Sequence, residues 1–163
     1  MIVLGIDPGP DRSGAVEFDG EKVLSAQYLD NDDIRRELHD IGPSARPAIE
    51  FPEARGGGVP VSQAILDTAA WAGRFDADCT AMLFKPREIR IHFCGVSSCT
   101  RAHVNQVLLD RLGPVGTKKQ PGPLYAIARP AEKGISQHLW DALAVAVMAS
   151  DKLRESAREM GAK

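Results

Sequence analysis

Cysteine is scarce in this chain, with three residues, Cys79, Cys94 and Cys99. An odd number without a CxxC pair argues against a disulfide framework and for reduced thiols. No apolar run reaches the length of a membrane span, and the opening MIVLGIDPG lacks the basic segment, apolar core and small-residue cleavage site of a signal peptide. The expectation is a cytoplasmic protein with no membrane partner. No internal repeat is visible. Net positive charge is also missing: the formal value is −2, which taken alone argues against nucleic acid.

What is present points elsewhere. A chain of 163 residues, 44% hydrophobic and 26% charged, suits one domain over residues 1–163 with a core of its own. Its charge is unevenly spread. From Lys85 to Lys133 there are nine basic side chains (Lys85, Arg87, Arg90, Arg101, Arg111, Lys118, Lys119, Arg129, Lys133) and three acidic ones (Glu88, Asp110, Glu132). The rest of the chain is acidic. That asymmetry fits an acidic centre that holds metal beside a basic flank that holds phosphate, and it also fits a merely solvated basic loop.

The residue pattern predicts a strand over Ile2–Asp7, a turn at DPGPDRSG, a second strand, a tight turn at Asp19-Gly20 and a third strand. Helix follows over Asp30–Ile41, with Ile34, Leu38 and Ile41 at helical spacing, and Gly42-Pro43 ends it. Arg46–Phe51 reads as a strand, RGGGVP as a mobile loop, residues 61–75 as a helix and Cys79–Lys85 as a strand. Residues 85–100 read as a basic, turn-rich connection, 101–112 as a helix stopped by Gly113, and 114–134 as irregular. A helix from about Gln137 to Met160 closes the pattern. The order βββαβαβαα indicates an α/β domain, a mixed five-stranded sheet with helices on both faces.

Within "SQHLWDALAVAVMAS", His138 and Asp141 fall three apart on one helical face and can address one small object, a metal ion for example. Alone, the pair is better explained by an aspartate at the positive end of a helix dipole and a capping or packing histidine. Asp7 ends the first strand and Glu50 the fourth. If those strands are neighbours and the last helix docks beside them, three carboxylates and an imidazole converge. Such crowding repels unless a cation compensates. Oxygen ligands select Mg²⁺ or Mn²⁺, and an imidazole tilts the choice toward Mn²⁺. Two ions about 4 Å apart would serve phosphodiester hydrolysis by a metal-bound water. A second set, His92, Cys94, Cys99 and His103, contains zinc-ligand types but no CxxC pair, so cysteines flanking a turn are expected there.

"IVLGIDPGPDRSGAVEFDG", "AIEFPEA" and "HLWDALAVAVMA", in this order, resemble the ribonuclease H-like nucleases and most closely the RuvC family of Holliday-junction resolvases. "KPREIRIHFCGVSSCTRAHVNQVLL" is similar to that family's strand, loop and basic-started helix. The resemblance implies that Asp7, Glu50 and Asp141 are acidic metal ligands and that His138 takes the fourth ligand position, where the family has aspartate or histidine. It implies a pair of Mg²⁺ or Mn²⁺ ions, branched DNA as partner, a homodimer, and a bacterial or phage-infected cytoplasm. Arg101 matches a basic position near the scissile phosphate. Lys118, Lys119 and Lys133, with Lys85 and Arg87, are candidates for phosphate contacts.

The chain also departs from the family. Three positions after the strand-four glutamate, where RuvC proteins commonly carry an aromatic wedge, stands Glu53, a spare-ligand candidate. Phe51 points to the opposite face from Glu50. With Gly56-Gly57-Gly58 this suggests a phage-type or divergent resolvase acting on several branched DNAs, flaps and forks among them. Two other functions stay open: a catalytically silent module that binds branched nucleic acid, and an actin-like nucleotide-binding fragment, for which GIDPG is also a suitable opening.

Overall fold

A computed structural model describes residues 1–42, 45–53, 60–130 and 134–161. Gly56-Gly57-Gly58 and Lys133 lie outside the described residues. Five strands, β1 (Ile2–Asp7), β2 (Arg12–Phe18), β3 (Val23–Asp30), β4 (Ala45–Glu50) and β5 (Met82–Phe84), form one sheet in the order β3-β2-β1-β4-β5. The first three are antiparallel neighbours, and β4 runs parallel to both β1 and β5. The expected mixed five-stranded sheet is therefore present, with β1 at its centre.

Period-two alternation along β1 and β4 divides the core in two. Leu4, Ile6, Ala15 and Ile49 face α1 (Asn31–Asp40) and α2 (Gln63–Cys79), where Ile34, Leu38, Ala72 and Phe75 close that side. Val3, Val16, Phe18 and Ala48 face the remaining helices, α3 (Pro86–Cys94), α4 (Arg101–Leu112), α5 (Tyr125–Ala128) and α6 (Ser136–Gly161). Helices thus cover both faces. None of the described helices is long and apolar enough to cross a membrane.

Three expectations need correction. Residues 86–94 are helical rather than a turn-rich connection, because Pro86 sits at the first helical position, where its fixed φ and missing N–H cost nothing. Glu88 completes the start by accepting from the Lys85 N–H at 2.8 Å. Within 114–134, α5 adds one short turn, and Gly116 bridges Pro121. Cys79 ends α2 instead of opening a strand: Thr80 takes a left-handed conformation (φ 53°), and the Asp76 carboxylate accepts from the Ala81 N–H at 2.9 Å.

The long helix α6 lies unusually close to the sheet, and two glycines make room for it. A Cβ on Gly5 would stand 2.3 Å from the Ala142 carbonyl oxygen and 2.7 Å from Ala146 Cβ. One on Gly14 would stand 2.6 Å from the His138 carbonyl oxygen. Glycine weakens a strand interior, and here the return is backbone-to-backbone approach. The alanines of α6 (Ala142, Ala146, Ala149) are fully buried and keep its facing side thin.

Candidate active site

Because β1 and β4 are parallel with Ile6 opposite Ile49, Asp7 and Glu50 come to adjacent strand ends. Alternation turns both to the α6 side of the sheet, the side of Val3 and Ala48, while Phe51 packs into the opposite core as expected. The turn after Asp7 is pinned from within. Buried Ser13 donates its hydroxyl to Asn31 Oδ1 at 2.5 Å, the Asn31 amide donates to the Gly9 carbonyl at 3.0 Å, and the Gly9 N–H reaches Ser13 Oγ at 3.3 Å. Two buried side chains thus satisfy a loop backbone that would otherwise lack partners.

The close seating of α6 on Gly5 and Gly14 then delivers His138 and Asp141 to the same place. His138 Nδ1 lies 2.7 Å from Asp7 Oδ2. Asp141 Oδ1 accepts from Gln137 Nε2 at 3.0 Å, one helical turn back. Asp141 Oδ2 is buried with no hydrogen bond; the Arg101 guanidinium stands 3.3 Å away as an ion partner outside hydrogen-bonding geometry. Asp7, Glu50, His138 and Asp141 line one open cleft of roughly 500 Å³ together with Glu53, Arg90 and Arg101.

The electrostatics are those of carboxylates crowded without enough positive charge. Burial, then repulsion from Asp7 and Asp141, lifts Glu50 from 4.5 to about 8. Burial and the charge of Asp7 lift Asp141 from 3.8 to about 6. Burial also raises Asp7, against the pull of its hydrogen bond to His138. The hydrogen bond to Asp7 raises His138 in turn. As these side chains stand, no three His, Cys, Asp or Glu donors among the described residues close on one point. Asp7 and Asp141 are turned to His138 and Arg101. The donor set still suits a hard divalent cation: three carboxylates with one imidazole, an orphaned carboxylate oxygen, and carboxyls that hold protons for want of another cation.

This crowding has a testable sign. In the folded chain without metal, Glu50 keeps its proton up to about pH 8, whereas the unfolded chain releases it near 4.5. The folded state therefore binds more protons in that window. Its contribution to stability is full below the lower value and is lost as pH rises toward and through the upper one. Thermal melts in EDTA should show wild type losing stability across this window relative to Glu50→Gln, and Mg²⁺ should restore wild type at the alkaline end. Parallel profiles for the two proteins would remove Glu50 from the crowded cluster.

Among the residues expected at a DNA interface, the structure brings Arg101 into the cleft. It leaves Lys85, Arg87, Lys118 and Lys119 exposed and outside the cleft lining. Glu53, the spare-ligand candidate, does line the cleft. Arg90 and Gln137 were not singled out by sequence. Arg90 became visible only once 86–94 proved helical, while Gln137 had a signal, its i,i+4 spacing to Asp141. The His92, Cys94, Cys99 and His103 set is divided. His92 Nε2 lies 2.9 Å from Asp151, and His103 Nδ1 accepts from the Thr100 N–H at 3.1 Å in the cap of α4. Cys94 and Cys99 are free thiols on either side of the α3–α4 turn.

No family model matches the chain, and no curated protein sequence matches it. Solved structures do. The structure of Thermus thermophilus RuvC superposes with a TM-score of 0.64 at 18% identity, covering 96% of this chain and 97% of that one. T. thermophilus RuvC in complex with Holliday junction substrate gives a TM-score of 0.62 at 18% identity, covering 96% of each chain. Nearly the whole chain therefore has the α/β fold of RuvC, the ribonuclease H-like architecture that its strand-end and helix motifs resemble.

Proposed function

We propose that this protein is a divalent-metal-dependent endonuclease that hydrolyses phosphodiester bonds in branched DNA, four-way junctions foremost. The observation that carries the reading is the single cleft that gathers Asp7, Glu50, His138 and Asp141 with two arginines at its wall. The RuvC fold, and a RuvC relative described in complex with Holliday junction substrate, support the choice of DNA.

Asp7, Glu50, Asp141 and His138 would hold the ions. Bound Mg²⁺ or Mn²⁺ supplies a nucleophilic water at neutral pH and offsets charge on the attacking and leaving oxygens. The chain's own residues do the rest. The turn pinned by Ser13 and Asn31 fixes Asp7, Gln137 orients Asp141, and the strand ends hold Glu50 beside Asp7. Arg101 and Arg90 offer positive charge to the phosphate approaching the cleft. The exposed Lys85, Arg87, Lys118 and Lys119 serve as phosphate contacts farther out, where they add affinity without sequence information. Junction resolution takes two symmetric incisions, so we assign a homodimer with one site per protomer.

The test is cleavage of labelled four-way junction, flap, linear duplex and RNA/DNA hybrid, each with Mg²⁺, Mn²⁺ or EDTA. Paired nicks near the junction centre, dependent on metal, are the expected result. Tight junction binding with no cutting in either metal would replace this reading with that of a silent binding module. Arg101→Glu should weaken junction binding and reduce the slope of affinity against salt by about one phosphate contact; an unchanged slope would take Arg101 off the DNA.

A further inference from the structure

We propose that Tyr28 is a positioning residue of this site: its ring, stacked on His138, fixes the plane of the imidazole that Asp7 holds by one nitrogen. The effect on rate rests on the nuclease reading above, whereas the effect on the imidazole rests on geometry alone.

The arrangement follows from one register. Tyr28 on β3 pairs with Gly14 on β2, so both face α6. Gly14 contributes no side chain, and the His138 backbone occupies the space above it. Tyr28 covers that gap from the neighbouring strand, and its ring meets the imidazole at 5.2 Å between centroids with 24° between planes. Aromatic rings favour such offset stacking over a sandwich. The tyrosine is held in its own turn. The Arg12 guanidinium lies 4.4 Å from its ring centroid and donates to the Tyr28 carbonyl at 2.7 Å, while Arg12 Nε stands 3.3 Å from Asp30. Arg12, Tyr28, His138 and Asp7 thus form one continuous column from the sheet edge to the strand end that carries the carboxylate.

His138 needs that support. Its side chain is 40% exposed and borders open space on two sides, the cleft and a second hollow lined by Pro10, Asp11 and Gly134. The hydrogen bond to Asp7 fixes one ring atom but leaves the ring free to swing about it. Stacking removes that freedom. Hydrogen-bonded partners that orient a metal-ligating histidine change affinity or activity by about 10- to 100-fold when lost, and the lower end of that range sets the scale for a stacked ring.

The experiment compares wild type with Tyr28→Phe, which keeps the ring, and with Tyr28→Val and Tyr28→Thr, two strand-compatible residues that remove it. The first readout needs neither metal nor DNA: NMR of histidine ring signals at one fixed pH. His138 should give single, sharp ring signals in wild type and Tyr28→Phe, and broadened or doubled ones in the ring-less variants; a change of shift alone follows from the lost ring current and is not counted. The second readout is junction cleavage, where the ring-less variants should lose about 10-fold in kcat with KM unchanged, and Tyr28→Phe should stay within about 2-fold. His138 signals that stay single and sharp in both ring-less variants would overturn the inference, as would a Tyr28→Phe protein as impaired as they are. If no protein in the set cuts DNA, the nuclease reading fails, and broadened or doubled ring signals in the ring-less variants still decide the inference in its favour.

Discussion

Asp7→Asn should yield a folded protein that binds junction DNA about as well as wild type and cuts it at least about 10³-fold more slowly. Asparagine matches aspartate in shape, and an amide can still meet His138, so the packing around the strand end survives. What disappears is a full negative charge at the most enclosed of the four proposed ligand positions, where Asp7 is only 7% exposed. Metal catalysis is worth several kcal/mol of charge stabilisation, and each decade of rate corresponds to about 1.36 kcal/mol. Gel-resolved cleavage with binding measured in parallel separates the two effects. A variant that cuts at the wild-type rate would show that Asp7 holds no catalytic metal, whatever the fold.

Gly5→Val should cost about 3 kcal/mol or more, close to 10 °C in melting temperature for a chain of this size, although valine is a better strand former than glycine. The first atom beyond the backbone would land 2.3 Å from the Ala142 carbonyl oxygen, and that oxygen belongs to a helix backbone that cannot step aside locally. Relief requires α6 to lift off the sheet. Lifting α6 moves His138 and Asp141 from Asp7, so activity should fall further than stability alone predicts. Gly73 on α2 is the control: a Cβ there meets nothing within 4 Å, so Gly73→Ala should stabilise by about 0.5–1 kcal/mol through helix propensity. Equal melting temperatures for Gly5→Val and wild type would mean that α6 is not seated on β1 as described.

The strands and the two well-patterned helices were legible because each carries its period in its own residues: Val3 and Leu4 alternate across the sheet, and Ile34 and Leu38 mark one face of α1. The four residues that share the cleft could be singled out too, since Asp7 and Glu50 end apolar runs and His138 and Asp141 share a helical face. Their convergence was not written locally. It depends on the parallel pairing of β1 with β4 and on a helix depth set by Gly5 and Gly14, which in a linear reading look like ordinary strand residues. α3 is not legible in the linear sequence because basic residues dilute the apolar pair Ile89 and Phe93, although Pro86 stands at the one helical position that favours it. Arg90 was lost with that helix. Tyr28 was hidden for a further reason: its partner is decided by register across an edge strand, and a one-residue slip would turn it away from α6.

The Asp7–His138 contact joins residues 131 positions apart. For a chain made from its N-terminus, this separation has a consequence in time. A ribosome that has delivered the whole sheet has still delivered no complete cleft, because the imidazole and the third carboxylate arrive with the last helix. Chains that stop before α6 would therefore carry Asp7 and Glu50 without His138 and Asp141, and the crowding of the cleft would be absent from them.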